Sequence, residues 1–326
     1  FRRDNIAIEV LNLNPAKRAT VIESALRDHE RRPAIVYAPT RKESEETAAF
    51  LARKFSVAAY HAGLKPEARD RIQSDFLSGK LEVVVATVAF GMGIDKANVR
   101  TVIHSALPSS VEGYYQEIGR AGRDGLPSRA ILLYSTGDLR THEFFLGRDY
   151  PEPTLIRKIF QKLPALEAKA VQPENFPRNK DATEIEMERA MQKLRTHGGI
   201  KLSIAGGLYR GSSQWEAGYL AQKNHRTAQL ARITKYAESR LCRMDELVGY
   251  FGDQADSGRK CGLCDRCTGA QMEIVCAKGT QENSILLLKV MTTKEEWGTS
   301  SLFQKAFPKG NVERGEFDHL LSELAS

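Results

Sequence analysis

The chain has 326 residues, room for two or three domains, with the 41% hydrophobic and 27% charged composition expected of a globular protein. Its net charge of +7 and pI near 9.1 favour a polyanionic partner without requiring one. No apolar run approaches about 18 residues, which excludes a predicted membrane helix, and five cysteines in a chain with no export signal point to metal before disulfides.

Residues 6–13 read as a first strand, and Pro15 suits the opening of a helix over 16–28. A second strand covers 34–38. Thr40 then opens T-R-K-E, a capping box in which its hydroxyl covers the Glu43 amide and the Glu43 carboxylate returns the bond. The helix it starts has a narrow apolar stripe of Ala48, Ala49, Leu51 and Ala52. Residues 57–60 form a third strand ending in His61-Ala62-Gly63, and Pro66 begins a helix with Ile72, Phe76 and Leu77 on one face, stopped by Gly79.

Residues 81–86, β-branched and uncharged after Glu82, read as a buried parallel strand. The strand empties into Thr87 and then Gly91-Met92-Gly93-Ile94-Asp95, where two glycines let the backbone turn tightly and approach a bound group. A strand at 101–104 is followed by Pro108 and by Ser109, which can cap a helix holding Tyr114, Tyr115 and Ile118. That helix ends in Gly119-Arg120-Ala121-Gly122-Arg123-Asp124-Gly125. Two planar, permanently charged forks three residues apart suit phosphate oxygens, although an isolated pair is more often a solvated helix end. A last strand at 130–134 completes an α/β domain over 1–148 with a mostly parallel sheet. Ligands of such sheets gather at the carboxyl ends of the strands, where Thr40, Arg41, His61, Thr87 and residues 91–95 fall. Taken singly, Thr40 is only a cap and His61 only a turn residue.

From Pro151 prolines recur and helical patterns take over. Helices at 154–163 and 182–197, the second with Ile185, Met187, Ala190, Met191 and Leu194 near one side, precede Gly198-Gly199 and a hairpin over 200–210. Helix, helix, hairpin is the order of a winged helix, so 149–218 reads as a winged-helix-like insert whose second helix or wing lies against nucleic acid or protein. Residues 224–252 read as helical and carry Cys242. Then comes Cys261-Gly262-Leu263-Cys264-Asp265-Arg266-Cys267, two C-x-x-C steps that supply three thiolates, with Cys242 as the fourth of a closed tetrahedral site. Zinc and an iron–sulfur cluster both take four thiolates. Residues 219–270 are therefore expected to form a helical metal-binding subdomain. Cys276 lies outside the pattern, and 271–326 reads as a partial helical segment, the start of another winged helix.

T-x-x-F-G-M-G-I-D at 87–95 followed by Y-Q-E-I-G-R-A-G-R-D-G at 115–125 resembles motifs V and VI of superfamily 2 helicases, closest in wording to the RecQ family. Y-A-E-S-R-L-C-R-x-x-x-L-x-x-Y-F-G-D followed by C-G-L-C-D-R-C resembles the RecQ zinc-binding subdomain. The resemblance implies a second RecA-like lobe at 1–148 and a structural Zn2+ on Cys242, Cys261, Cys264 and Cys267. It makes Arg123 the arginine finger that reaches the ATP γ-phosphate, with Arg120 and Gln116 beside it. Gly93 and Asp95 then stand at the nucleotide, Asp95 on ribose or on Arg123, though locally it also suits an Asx turn. Thr40, Arg41, His61 and Thr87 become the grip on the sugar-phosphate backbone of single-stranded DNA.

No G-x-x-x-x-G-K-[ST] loop and no D-E-x-H pair occurs, so the resemblance puts the remaining ATP and Mg2+ ligands on a first lobe ahead of Phe1, where the chain reads as cut from a longer protein. By itself the chain is expected to hydrolyse ATP negligibly. The implied whole is an ATP-dependent 3′-to-5′ DNA helicase of repair or recombination, acting on single strands and duplex junctions. Its expected location is nucleoid-associated cytoplasm in a bacterium or the nucleus in a eukaryote. The insert at 149–218 departs from the commonest family layout, in which the lobe runs straight into the zinc subdomain. Two alternatives stand beside this reading: a non-catalytic nucleic-acid-binding or scaffolding module, which has no need of paired arginines, and RNA as substrate.

Overall fold

The computed structural model describes residues 2–91, 95–177 and 182–269. Gly93, Cys276 and the segment expected at 271–326 lie outside the described residues.

Six strands, β1 (Ile6–Asn12), β2 (Ala34–Tyr37), β3 (Val57–Tyr60), β4 (Val83–Ala86), β5 (Thr101–His104) and β6 (Ser128–Tyr134), form one parallel sheet in the order β1-β6-β5-β2-β4-β3. Every residue of β2, β4 and β5 is buried, which is why β2 and β4 read as unbroken apolar runs rather than alternating ones, while β5 buries Thr101 and His104 at its ends. Helices α1 (Arg18–Ala25), α2 (Arg41–Leu51), α3 (Pro66–Leu77) and α4 (Val111–Ile118) connect them. This is the layered α/β architecture of a RecA-like lobe. Tyr37 pairs with Ala86 on one side and His104 on the other, so the loops leaving β2, β4 and β5 emerge side by side.

Local chemistry sets the element ends. The Thr40 hydroxyl accepts from the Glu43 amide at 3.1 Å, and the Glu43 carboxylate returns to that hydroxyl at 3.0 Å rather than to the Thr40 amide. Helix α4 is capped by Ser110, not Ser109, because Ser110 has the extended backbone that aims its oxygen at the Gly113 amide, 3.1 Å away. Helix α5 (Thr136–Asp149) has no counterpart in the sequence pattern. Ser135 and Asp138 cap it reciprocally, and the buried Asp138 carboxylate also takes Arg18 at 2.6 Å and the Leu107 amide at 3.0 Å.

Beyond the lobe, α6 (Pro153–Lys162), α7 (Glu184–Thr196) and the antiparallel pair β7 (Ile200–Leu202) and β8 (Leu208–Arg210) enclose a core of their own around Ile156, Ile159 and Leu194, with Val171 adding a bridge to Leu208. Helix α8 (Trp215–Glu238) runs from that core, where it buries Trp215 and Tyr219, into the core of the sheet, where it buries Leu230, Ile233 and Tyr236. The helical stretch expected at 224–252 is thus two helices, α8 and α9 (Arg243–Tyr250), and Cys242 caps α9 instead of riding on a helix. The break has a cause: the fully buried Arg243 guanidinium donates to the carbonyls of Tyr236, at 2.6 Å, and Ala237, at 3.3 Å, and so satisfies the end of α8. A single turn, α10 (Asp265–Thr268), closes the described chain. No described helix is long and apolar enough to cross a membrane.

Candidate functional site

The arginine loop follows α4. Gly122 turns it back with φ of +57°, and the positive φ favours glycine there. Three backbone carbonyls of the loop are held from outside: Arg3 donates to Gly119 (3.2 Å), Ala121 (2.9 Å) and Gly122 (2.9 Å), and Asn5 adds a second bond to Gly122 at 2.8 Å. Held in this way, the two arginines have different partners. Arg123 Nη1 donates to Asp95 Oδ1 at 2.8 Å, at the surface, with side chains 37% and 88% exposed. Arg120 lies against the Gly91 backbone, where a Cβ would stand 2.8 Å from its guanidinium carbon. The Nε of Arg120 is buried and has no protein acceptor. Gln116 is exposed one turn earlier on α4.

Thr40 and Thr87 share the wall of a cleft of about 290 Å³ at the carboxyl ends of β2, β4 and β5. Tyr37 and His104 also line it, their rings stacked at 5.2 Å. His104 Nε2 pairs with Glu117 Oε2 at 2.7 Å, and the Tyr37 hydroxyl donates to the Phe90 carbonyl at 3.0 Å, beside Gly91. Burial raises the Tyr37 phenol, with the Arg120 charge acting in the opposite sense. Glu117 precedes Arg120 by three residues, so the helix that touches the cleft leads directly into the arginine loop. Tyr37, His104 and Glu117 were not singled out from sequence; the spacing of Glu117 and Arg120 was the available signal.

Arg41 and His61 meet in a neighbouring turn. His61 is 5% exposed, accepts the Gly63 amide on Nδ1 at 3.2 Å and, with that nitrogen an acceptor, donates from Nε2 to Glu45 at 2.9 Å. Both its nitrogens are engaged within the protein. Arg41 is exposed, with Nη1 2.9 Å from where a Gly63 Cβ would stand.

The four cysteines converge: Cys242, Cys261, Cys264 and Cys267 have all their sulfurs within 4.8 Å of one another. Cys261 to Cys267 is 3.9 Å and Cys242 to Cys264 is 4.0 Å. Four Zn–S bonds of about 2.3 Å at tetrahedral angles put sulfurs about 3.8 Å apart, so the set fits one zinc ion with no open position. It is too tight to enclose an iron–sulfur cube. Backbone amides already face the sulfurs, Cys261 N on Cys242 at 3.2 Å, Cys264 N on Cys261 at 3.4 Å and Arg243 N on Cys264 at 3.4 Å. Burial pushes the Cys261 thiol up to about 12 and raises Cys267, whereas at Cys242 burial is outweighed by hydrogen bonds that pull it down to about 7. Four thiolates this close repel, and a multivalent cation between them removes the conflict.

The cysteine centre is tied to the lobe. Between the last two cysteines, Asp265 receives a bidentate pair from Arg243 (3.0 and 3.1 Å) and the Val10 amide of β1 at 3.4 Å. Tyr250 bonds Glu112, and Phe251 packs its ring 4.8 Å from Tyr115, both partners on α4. Arg243 and Asp265 escaped sequence reading because charged residues are ordinarily placed at the surface.

Residues 16–125 match the helicase conserved C-terminal domain, and residues 210–268 match the RecQ zinc-binding family. The ATP-dependent DNA helicase RecQ of Haemophilus influenzae is 53% identical over 105 residues, 32% of this chain and 17% of that protein. RecQ of Bacillus subtilis is 41% identical over 153 residues, 47% of this chain and 26% of that protein. A protein of Acanthamoeba polyphaga mimivirus whose name calls it an ATP-dependent RNA helicase is 29% identical over 288 residues, 87% of this chain and 39% of its own length. The chain thus spans well under half the length of these relatives. In domain content and order, a helicase C-terminal lobe and then a RecQ zinc-binding segment, the chain is similar to the C-terminal portion of RecQ helicases.

Proposed function

We propose that this chain is the trailing half of an ATP-dependent 3′-to-5′ DNA helicase of repair or recombination, working on single strands and duplex junctions. Its missing half is a first lobe that carries the other ATP and Mg2+ ligands. One observation carries the reading. Arg120 and Arg123 stand on a braced loop at the mouth of the sheet, and Arg123 is held at 2.8 Å by an exposed carboxylate, that of Asp95, which a nucleotide phosphate can replace. Arg123 then serves as the finger on the γ-phosphate, and Arg120 and Gln116 stand beside it with Gly93 and Asp95. Thr40, Thr87 and Arg41 grip the strand, with His61 bracing the turn beneath Arg41. The stacked Tyr37 and His104 and the Glu117 contact to α4 couple strand to nucleotide. The boundaries at 148, 218 and 270 divide lobe, winged-helix-like insert and zinc platform.

The test is DNA-stimulated ATP hydrolysis by the chain joined to its first lobe. Strong stimulation by single-stranded DNA that is lost in Arg123→Ala supports the reading; retained turnover in that variant overturns it. The isolated chain is expected to turn over negligibly, and measurable turnover contradicts the shared site. RNA is the second reading, favoured by the name of the mimivirus relative and by a grip of hydroxyls and cations that does not discriminate sugars. Equal stimulation by RNA in the same assay selects it.

A further inference from the structure

The strand-gripping cleft is not closed at its far end. Ser109, His142 and Phe145 line it and also line a second cavity, of about 420 Å³, between α5, α7 and α8. The cations of this second cavity come from outside the lobe, Arg189 and Lys193 from α7 and Arg226 from α8. Arg189, Gln192, Lys193 and Thr196 recur at helical spacing and form one polar stripe beside the buried Ala190 and Leu194. Among the described residues none of the three cations is paired with a carboxylate. Arg189 and Arg226 donate to the amide oxygens of Gln192 (3.3 Å) and Gln229 (3.0 Å), and the Lys193 ammonium sits 3.7 Å over the Tyr150 ring. The one acidic lining residue, Asp149, lies 3.5 Å from the Arg148 Nε.

We infer that this groove is a second binding site for single-stranded nucleic acid, continuing the path of the strand held by the lobe; this rests on the strand-gripping reading of Thr40 and Thr87. Phosphates lie along the Arg189, Lys193 and Arg226 side. Phe145, half-buried at the junction of the two cavities, offers a stacking face for a base. The volume takes about one or two nucleotides, not a duplex. In duplex readers with a winged helix, the helix ahead of the hairpin enters the major groove. Here Arg189 and Lys193 of that helix line a cavity with α5 and α8 that is too small for a duplex, so the insert holds a strand.

The experiment titrates the full chain with fluorescein-labelled oligo(dT) of about 8 and about 16 nucleotides, and with blunt duplex, across a salt series. It compares wild type, Arg189→Ala/Lys193→Ala/Arg226→Ala and Thr87→Ala. The triple variant is expected to bind the longer strand about tenfold or more weakly, with the slope of log affinity against log salt flattened by about 2, the contribution of three phosphate contacts. The shorter strand is expected to change little. An unchanged slope in the triple variant, with Thr87→Ala still weakening every strand, overturns the groove and leaves the lobe reading intact. No effect of Thr87→Ala, with the triple variant impaired, refutes the lobe grip instead. Equal loss on blunt duplex overturns the single-strand assignment. Should the triple variant fail to fold, photocrosslinking of 4-thiothymidine strands to the unaltered chain decides: adducts on Phe145 or α7 support the groove, and adducts confined to the lobe overturn it.

Discussion

Arg243→Ala is the sharpest perturbation the structure offers. The guanidinium is 0% exposed and its partner carboxylate 4% exposed, so removing it strands the Asp265 charge in the interior and leaves the Tyr236 and Ala237 carbonyls without their donor. Breaking a buried pair from one side costs about 3–5 kcal/mol, and a folded unit of this size loses about 2–4 °C per kcal/mol. The expected fall in Tm is therefore about 6–20 °C. The Arg243 amide that faces Cys264 is backbone and survives the substitution, so the measurement isolates the side chain. Differential scanning calorimetry with zinc quantified by mass spectrometry is the assay. Arg243→Ala within about 2 °C of the parent, with full zinc, would refute the claim that this pair joins the cysteine centre to α8 and β1.

Arg123→Ala in the two-lobed protein should lower kcat about 10³-fold or more with DNA affinity little changed; loss of binding alone would argue against a finger. Gly91→Ala places a methyl group against the Arg120 guanidinium, so steady-state kinetics should show impaired ATPase while calorimetry finds stability near wild type, and full activity would remove Arg120 from the site. Cys264→Ala, or a strong chelator, should melt the platform, since zinc–thiolate binding is folding free energy; retained Tm and zinc content would contradict the four-cysteine centre. Burial raises Glu9 despite Arg129 and Arg31, and its Oε2 has no partner. A carboxylic acid with a raised folded pKa loses stability as pH rises through the unfolded value of about 4.3. Glu9→Gln should thus gain on the parent between pH 4 and 7 in urea titrations, and a gap that narrows over that range would reverse the sign assigned here.

Strands β2 and β4 were legible because residues buried on both faces of the sheet are apolar, and short runs of that kind leave little choice of secondary structure. Helix α5 was hidden because Thr136–Asp149 carries two glycines and few apolar residues; its cap and the Arg18–Asp138 contact hold it, and neither shows as periodicity. The break between α8 and α9 was hidden by Arg243, a charge occupying an interior position. Of the candidate site, the four cysteines were readable from spacing alone. The cleft was not, since Tyr37, His104 and Glu117 come from three separate elements and are brought together only by the sheet order.

Helix α8 belongs to two cores at once. Its 24 residues, about 36 Å of rigid rod, are clamped by Trp215 and Tyr219 at one end and by Leu230, Ile233 and Tyr236 at the other. A rod fixed at both ends acts as a lever: a tilt of about 5° at the insert displaces the far end by about 3 Å over that length. The far end is where Arg243 grips the last carbonyls and where Tyr134 holds Glu238 at 2.6 Å. The insert is therefore geared to the sheet rather than hung from it, and through the Tyr236–Tyr114 ring contact α8 reaches α4, the helix that leads into the arginine loop.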